Sequence, residues 1–255
     1  MSTTEDLIGR ADVNDIEAIE AIMAIAAEDG EANIRAVKDH ADAIFTWDYE
    51  KGRRPALNKL YEKAKVSMWN GETDLPWDTA VNPMDLVELQ RAQFGMTPEL
   101  RKENTRGTPF EKWSDAQFDE LALESNNWML SQFMHGEQGA LICTAKIVET
   151  VPWIDAKYYA ATQVMDEARH VEVFARYLEE KLGGEFQVNA HLRMLLDDII
   201  NDSRWDMTYL GMQVMVEGLA LAAFGMAYQV TPDPLLKQLL RYVMSDEARH
   251  VAFGV

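Results

Sequence analysis

The distribution of apolar and polar positions predicts four long helices in the C-terminal part of the chain. In each stretch apolar side chains are spread among charged ones, and proline is confined to the ends. The richest apolar run, 212–230, contains Glu217, which favours a buried core helix over a membrane span. The predicted helices cover 115–150, 153–182, 203–230 and 233–255.

Capping residues predict where these helices begin and end. Ser114 and Gln117 have the spacing of a capping box before the first helix, and Ser203 with Asp206 is expected to cap the third. Gly183-Gly184 is expected to end the second helix. Asp233-Pro234 is expected to begin the fourth, and a crossover over 185–202 with a short helix at 190–200 joins the two halves.

Residues 1–112 are predicted to form an N-terminal helical extension that packs on a bundle domain of residues 113–255. Helices are expected over 14–29, 32–47, 56–69 and 82–94, and residues 95–112, with two prolines and two glycines, are expected to be a linker. Together with a content of only 8 Pro and 14 Gly and with abundant Ala, Glu, Leu and Met, this predicts an all-α fold.

A motif on the second and fourth helices is repeated without change. Asp166-Glu167-Ala168-Arg169-His170-Val171 returns as Asp246-Glu247-Ala248-Arg249-His250-Val251, and a further glutamate precedes each copy, giving E–x29–ExxH twice with an offset of 80 residues. Glu and His three positions apart lie on one face of a helix and can reach one ion. Four carboxylates and two imidazoles suit two divalent metals of the iron or manganese kind. The candidate ligands are Glu137, Glu167, His170, Glu217, Glu247 and His250.

The spacing of the motif predicts two helical hairpins. Pro152 lies midway between Glu137 and Glu167, and Pro232 lies midway between Glu217 and Glu247. Because residues equally far from a tight turn face each other across antiparallel helices, each isolated glutamate is expected at the height of its ExxH motif. A repeated, solvated surface helix would not explain this register.

Composition narrows the function classes. The net charge of −19 argues against nucleic acid and anionic membranes as partners. Cys143 is the only cysteine and the N-terminus has no basic, apolar leader, so a cytoplasmic protein is expected. The fourth helix stops five residues after His250 and is expected to be cut short, as in a fragment of a longer protein.

With this ligand pattern, the chain resembles the ferritin-like di-iron carboxylate proteins, in which two helices each give a Glu and two give Glu-x-x-His. A second similarity, to the segment before the bundle in larger di-iron oxygenases and ribonucleotide-reductase small subunits, covers residues 60–65, 69–70 and 74–77. The resemblance implies a ferritin-like four-helix bundle with a long crossover. It also implies two iron ions, with a manganese–iron pair as an alternative, and ExxH glutamates that bridge the two ions.

Three further sets of residues follow from this picture. Glu137, Glu167 and His170 are assigned to one ion, and the remaining three ligands to the other. Asp166 and Asp246 are expected to support the histidines, the alternative being local ion pairs with Arg169 and Arg249 on the bundle surface. Residues one turn from the ligands are candidates for a substrate chamber, a packed core being the alternative: Phe133, Leu141, Phe174, Gln213 and Leu221.

The resemblance implies an oxidase or oxygenase that uses O2 to hydroxylate, desaturate or N-oxygenate a small organic substrate. It also implies an electron-donor protein as a partner, and it leaves open whether the protein forms a homodimer. A reductase small subunit with a metal-based oxidant is the second hypothesis, because Phe174 stands where a radical tyrosine is usual. Val243 stands where arylamine N-oxygenases carry an extra histidine. A ferroxidase or iron-storage protein is the third hypothesis, and a non-catalytic scaffold leaves the ligand register unexplained.

Overall fold

The computed structural model describes residues 43–44, 47, 49–93, 95 and 97–255, and these residues form an all-α protein. Of the predicted early helices, that over 14–29 lies wholly, and that over 32–47 mostly, outside the described residues. Among the described residues before the bundle there are three short helices and a 3-10 turn at Pro109–Lys112; the helices are α1 (Pro55–Val66), α2 (Met84–Gln93) and α3 (Pro98–Thr105).

The C-terminal part forms the four predicted helical units. They are α4 (Asp115–Thr150), α5 (Ile154–Tyr177), a third unit over Trp205–Val230, and α9 (Pro234–Gly254). The crossover carries α6 (Ala190–Asn201), close to the predicted 190–200. The third unit consists of α7 (Trp205–Tyr209), a π-helical segment (Leu210–Val216) and α8 (Glu217–Val230), while a second π-helical turn, Leu178–Leu182, extends α5.

Most of the predicted helix ends are confirmed. The Ser114 side chain accepts from Gln117 N–H, and the Gln117 side chain accepts from Ser114 N–H. Asp233 Oδ1 accepts from Leu235 N–H at 2.9 Å, and Gly183 takes a left-handed conformation at φ 86° after the π-helical turn.

Three expectations for helix boundaries are wrong. Ser203 does not cap the third unit, because the helix begins at Trp205 after Arg204, which makes no side-chain cap bond. The 95–112 linker contains α3, whose N-terminus is capped by the Thr97 hydroxyl. The helix expected over 56–69 ends at Val66, and the residues after it form a turn-rich loop instead.

The two tight turns place the hairpins as expected. α4 packs along α5 through the turn at Pro152, and α8 packs along α9 through the turn at Pro232. A cluster of buried apolar side chains from α5, α8 and α9 forms the core beside the candidate ligands, and it includes Phe174, Phe224 and Val243.

The loop before the bundle joins the same core. Trp69, Leu75 and Trp77 are buried in this cluster. Gly71 lies so close to α5 that a Cβ there would stand 2.7 Å from a methyl carbon of Val173, so the backbone itself makes the contact. The segment therefore packs on the bundle, whereas the exact division into residues 1–112 and 113–255 stays a prediction.

The third unit is only partly a buried core helix. One face carries Met212, Glu217 and Phe224 into the interior, as expected. The opposite face is exposed and apolar, and only 28% of its most apolar window is buried. By length and composition alone it could cross a membrane, which is weak support because core helices of soluble proteins pass the same test.

Candidate metal centre

The six candidate ligands converge in the interior from four helices. α4 carries Glu137, α5 and α9 carry the two ExxH pairs, and Glu217 is the first residue of α8. None is more than 4% exposed. Their ligand atoms form two overlapping groups within 4.8 Å: Glu137, Glu167, His170 and Glu247 in one, and Glu167, Glu217 and His250 in the other.

Both ExxH glutamates lie between the two histidines. His170 Nδ1 is 3.4 Å from Glu167 Oε2 and 3.2 Å from Glu247 Oε1. His250 Nδ1 is 3.1 Å from Glu167 Oε1 and 3.3 Å from Glu247 Oε1. Each of these glutamates is therefore shared by the two halves, as the bridging position implied by the resemblance requires.

Two buried carboxylate oxygens of this cluster, Glu217 Oε2 and Glu247 Oε2, have no hydrogen-bond partner among the described residues. Unpartnered buried charges are costly, so such groups bind protons, counter-charges or metal ions. Four ionised carboxylates carry four negative charges, which two divalent cations would balance. The residues present therefore fit a pair of divalent metal ions.

Protons occupy part of this role when no metal is bound. Burial, reinforced by Glu247, raises the pKa of Glu137 well above its usual value. Burial, reinforced by Glu167 and Glu247, does the same to the pKa of Glu217. Burial alone would lower the pKa of His170 and His250, but the facing carboxylates outweigh it and raise both.

Asp166 and Asp246 each support the histidine of the other half. Asp246 Oδ2 lies 3.2 Å from His170 Nε2, and Asp166 Oδ2 lies 3.4 Å from His250 Nε2. A carboxylate at Nε2 holds a proton there and turns Nδ1 towards the carboxylate cluster, where its lone pair becomes available to a metal ion once the Nδ1 proton has left. The sequence identified both aspartates but not that the pairing is crossed.

Arg169 and Arg249 complete this arrangement inside the protein, not on its surface. They are 4% and 1% exposed, and each guanidinium contacts both aspartates. Two arginines and two aspartates balance each other, so the four glutamates keep their own unbalanced charge. The alternative of surface ion pairs is thus wrong.

Trp69 also contacts this network. Its indole Nε1–H donates to Asp246 Oδ2 at 2.8 Å, and its ring lies under the Arg169 guanidinium, 4.6 Å from centroid to Cζ. The ring stacks on Tyr242 with centroids 4.8 Å apart. The sequence placed Trp69 only in the segment before the bundle, and no spacing rule connects it with a residue so distant in the chain.

A cavity of about 350 Å³ adjoins one side of the cluster. Glu137, Glu217 and Glu247 form part of its wall, and the exposed side chains of Leu195 and Leu219 take it to the surface. Apart from those glutamates its lining has no charged side chain, and most of it is aliphatic or aromatic: Trp128, Phe133, Ala140, Leu192, Leu195, Val216, Leu219, Ala220, Ala223 and Phe224.

The predicted chamber residues lie in different places. Phe133 lines the cavity, and Phe174 lies behind it, packed on Phe133 and Phe224. Gln213 is buried at Glu217 rather than in the cavity wall. Leu141 and Leu221 are partly buried and are not among the lining residues.

Comparison with known proteins adds no assignment. No protein-family model matches the chain, and searches of curated proteins and of solved structures give no significant match. The case for a function therefore rests on the chemistry of the buried cluster.

Proposed function

We propose that this protein is a ferritin-like di-iron oxidoreductase that activates O2 to oxidise a small organic substrate. The observation that carries the proposal is the meeting of the six candidate ligands with an apolar cavity at the same point in the interior. A structural ion-pair network would not need an adjoining cavity whose lining, apart from the candidate ligands, is uncharged.

The donor set favours iron or manganese. Carboxylate oxygen and imidazole nitrogen are the ligands these ions prefer, whereas the thiolates that favour zinc or copper are absent from the described cluster. Glu137 and His170 would hold one ion, Glu217 and His250 the other, and Glu167 with Glu247 would lie between them. When bound, two ferrous ions supply the electrons for O2 reduction.

The chain itself would position the reactants. The apolar wall of the cavity binds the substrate and excludes water from the face formed by Glu137, Glu217 and Glu247. Asp166 and Asp246 hold the imidazole protons at Nε2, so that both Nδ1 atoms remain donors to metal. No side-chain nucleophile is required.

The second candidate is a reductase-type small subunit that exchanges electrons with a partner chain. The hydrogen-bonded series from Trp69 through Asp246 to His170 favours it, since it links an aromatic ring outside the cluster to a candidate ligand. Pull-down of a catalytic partner would support this candidate over a self-contained oxygenase.

Metal analysis tests the proposal directly. After anaerobic ferrous loading and desalting, we expect about two irons per chain in the wild type and a large loss in Glu167→Gln. The control, Glu172→Gln, removes an exposed carboxylate on the same helix and is expected to retain both ions. O2 is then added while visible absorption is followed, with and without apolar substrates.

A wild-type protein without bound metal would overturn the proposal. Equal metal contents in Glu167→Gln and in the wild type would do the same. Metal binding without any response to O2 would refute the oxidase chemistry while leaving the metal centre intact.

A further inference from the structure

The two halves of the repeat carry the same ligands in opposite surroundings. The offset of 80 residues pairs Gln163 with Val243. It likewise pairs Gln213 with Phe133 and Thr144 with Phe224. The polar member of each pair lies on the Glu217 side of the centre, and the apolar member lies on the Glu137 side.

The polar members hold Glu217 through one oxygen. Gln163 Nε2 lies 2.7 Å and Gln213 Nε2 lies 2.6 Å from Glu217 Oε1. Gln163 Nε2 also lies 3.0 Å from Glu167 Oε1 and 3.4 Å from Thr144 Oγ1. All three polar side chains are 0% exposed, so water does not compete for these bonds.

These contacts leave the two oxygens of Glu217 unequal. Glu217 Oε1 accepts from two amides, which uses the lone pairs it has for strong bonds. Glu217 Oε2 has no hydrogen-bond partner among the described residues. A metal-bound carboxylate is ionised and can only accept, so both amides must keep their NH2 groups turned towards it.

Glu137 has no such restraint. Among the described residues its polar contact is with His170 Nδ1, which lies 3.2 Å from Glu137 Oε2. The positions matching the glutamines and the threonine are filled by Phe133 and Phe224, which line the cavity, and by Val243 in the core. Nothing in these side chains can hydrogen-bond a carboxylate oxygen.

The backbone around Gln213 is itself fixed. Gln213 belongs to the π-helical segment that ends at Val216, directly before Glu217, and such a local geometry is found mainly at functional sites. The last turn of α9 lies directly against it, because a Cβ on Gly254 would stand 2.9 Å from the Gln213 carbonyl oxygen. The backbone that carries the Gln213 side chain is therefore held from two sides before any ion binds.

We propose that Gln163 and Gln213 are positioning residues that confine Glu217 to metal binding through Oε2 alone, and that they make the two metal positions unequal. The position at Glu217 and His250 is preorganised, whereas the position at Glu137 and His170 keeps a carboxylate that can bind through either or both oxygens. This inference rests on the proposed dinuclear centre.

The test uses Gln163→Met, Gln213→Met and the double variant, in which a side chain of similar length cannot donate. Gln238→Met, on α9 and bonded to the Asp74 carbonyl, is the matched control. Anaerobic titration with Mn²⁺ alone, followed by calorimetry and electron paramagnetic resonance, gives the affinity of each ion. We expect the double variant to bind one of the two Mn²⁺ ions with about 10- to 100-fold lower affinity and to bind the other with unchanged affinity.

Infrared difference spectra of the Mn²⁺-loaded and metal-free proteins supply a readout that a purely structural role would not move. A monodentate carboxylate separates its antisymmetric and symmetric stretches more widely than a chelating one. We expect a widely separated pair in the wild type and the control, and its loss in the double variant.

The inference is overturned if the double variant loses affinity equally for both ions or loses affinity for neither. It is also overturned if the widely separated pair of infrared bands persists in the double variant. If the wild type binds no Mn²⁺ and no iron, the proposed function fails as well. If it binds two ions and the variants match it, only the inference fails. If the double variant loses its far-ultraviolet circular dichroism signal, and is therefore unfolded, the same comparisons are made with the two single variants.

Discussion

Replacing Asp246 by Asn tests the crossed support of the histidines. Its carboxylate contacts four buried groups: the indole of Trp69, the guanidinium groups of Arg169 and Arg249, and the imidazole of His170. Removing the charge leaves two buried arginines with one aspartate between them. Loss of one partner from a buried ion pair costs about 3–5 kcal/mol of stability. This is a large part of the free energy of unfolding of a typical protein, which is about 5–15 kcal/mol.

Urea unfolding of the metal-free protein, followed by far-ultraviolet circular dichroism, measures this loss. The control is Asp198→Asn, which removes an exposed carboxylate on α6 and is expected to change the free energy of unfolding by no more than about 0.5 kcal/mol. If Asp246→Asn changes the free energy of unfolding by no more than this control does, the buried network contributes little to stability.

A double-mutant cycle then identifies which histidine Asp246 supports. His170→Asn and His250→Asn each keep an amide near Nδ1 and remove the Nε2 edge. We expect a coupling energy of about 0.5–3 kcal/mol between Asp246→Asn and His170→Asn, and near additivity with His250→Asn. Coupling of Asp246 to His250 that equals or exceeds its coupling to His170 would refute the crossed arrangement.

Two further predictions concern protons and the cavity. The pKa values of four cluster residues are raised in the folded protein: Glu137, Glu217, His170 and His250. Their protonation therefore stabilises the metal-free fold fully below their unfolded-state pKa values, and this contribution is lost as the pH rises. Urea unfolding between about pH 5 and 8 should show falling stability without metal and a growing stabilisation by Mn²⁺, and a stabilisation by Mn²⁺ that does not change with pH would contradict this. Ala220 lines the cavity, so Ala220→Phe is expected to weaken binding of naphthalene, an uncharged aromatic probe, at least about tenfold (about 1.4 kcal/mol). Ala222→Phe, on the exposed face of the same helix, is expected to leave naphthalene binding unchanged. Equal effects of the two variants would show that the cavity is not the binding site.

The ligand positions could be predicted because they repeat. Two identical ExxH motifs, two earlier glutamates and two prolines at the midpoints together define both hairpins, and the structure brings all six side chains to one depth. Capping residues such as Ser114 and Asp233 act within one turn of the helix, so local sequence suffices for them.

What the sequence could not supply is the choice between equivalent partners. Asp166 and Asp246 occur in identical motifs, and only the packing of α5 on α9 decides that each faces the other's histidine. Gln163 and Gln213 belong to no motif, although comparing the halves at the offset of 80 residues shows that their counterparts are apolar. The Ser203 cap failed because local propensity does not fix where tertiary packing starts a helix.

The crossed aspartates have a consequence for the smallest unit that could work. A single hairpin provides three metal ligands, but the histidine among them has no carboxylate of its own to hold its outer proton. Two copies of one hairpin facing each other about a twofold axis would already supply every missing partner. The smallest unit that contains every contact of the centre is therefore a pair of hairpins, and in this chain the crossover that carries α6 joins the two covalently.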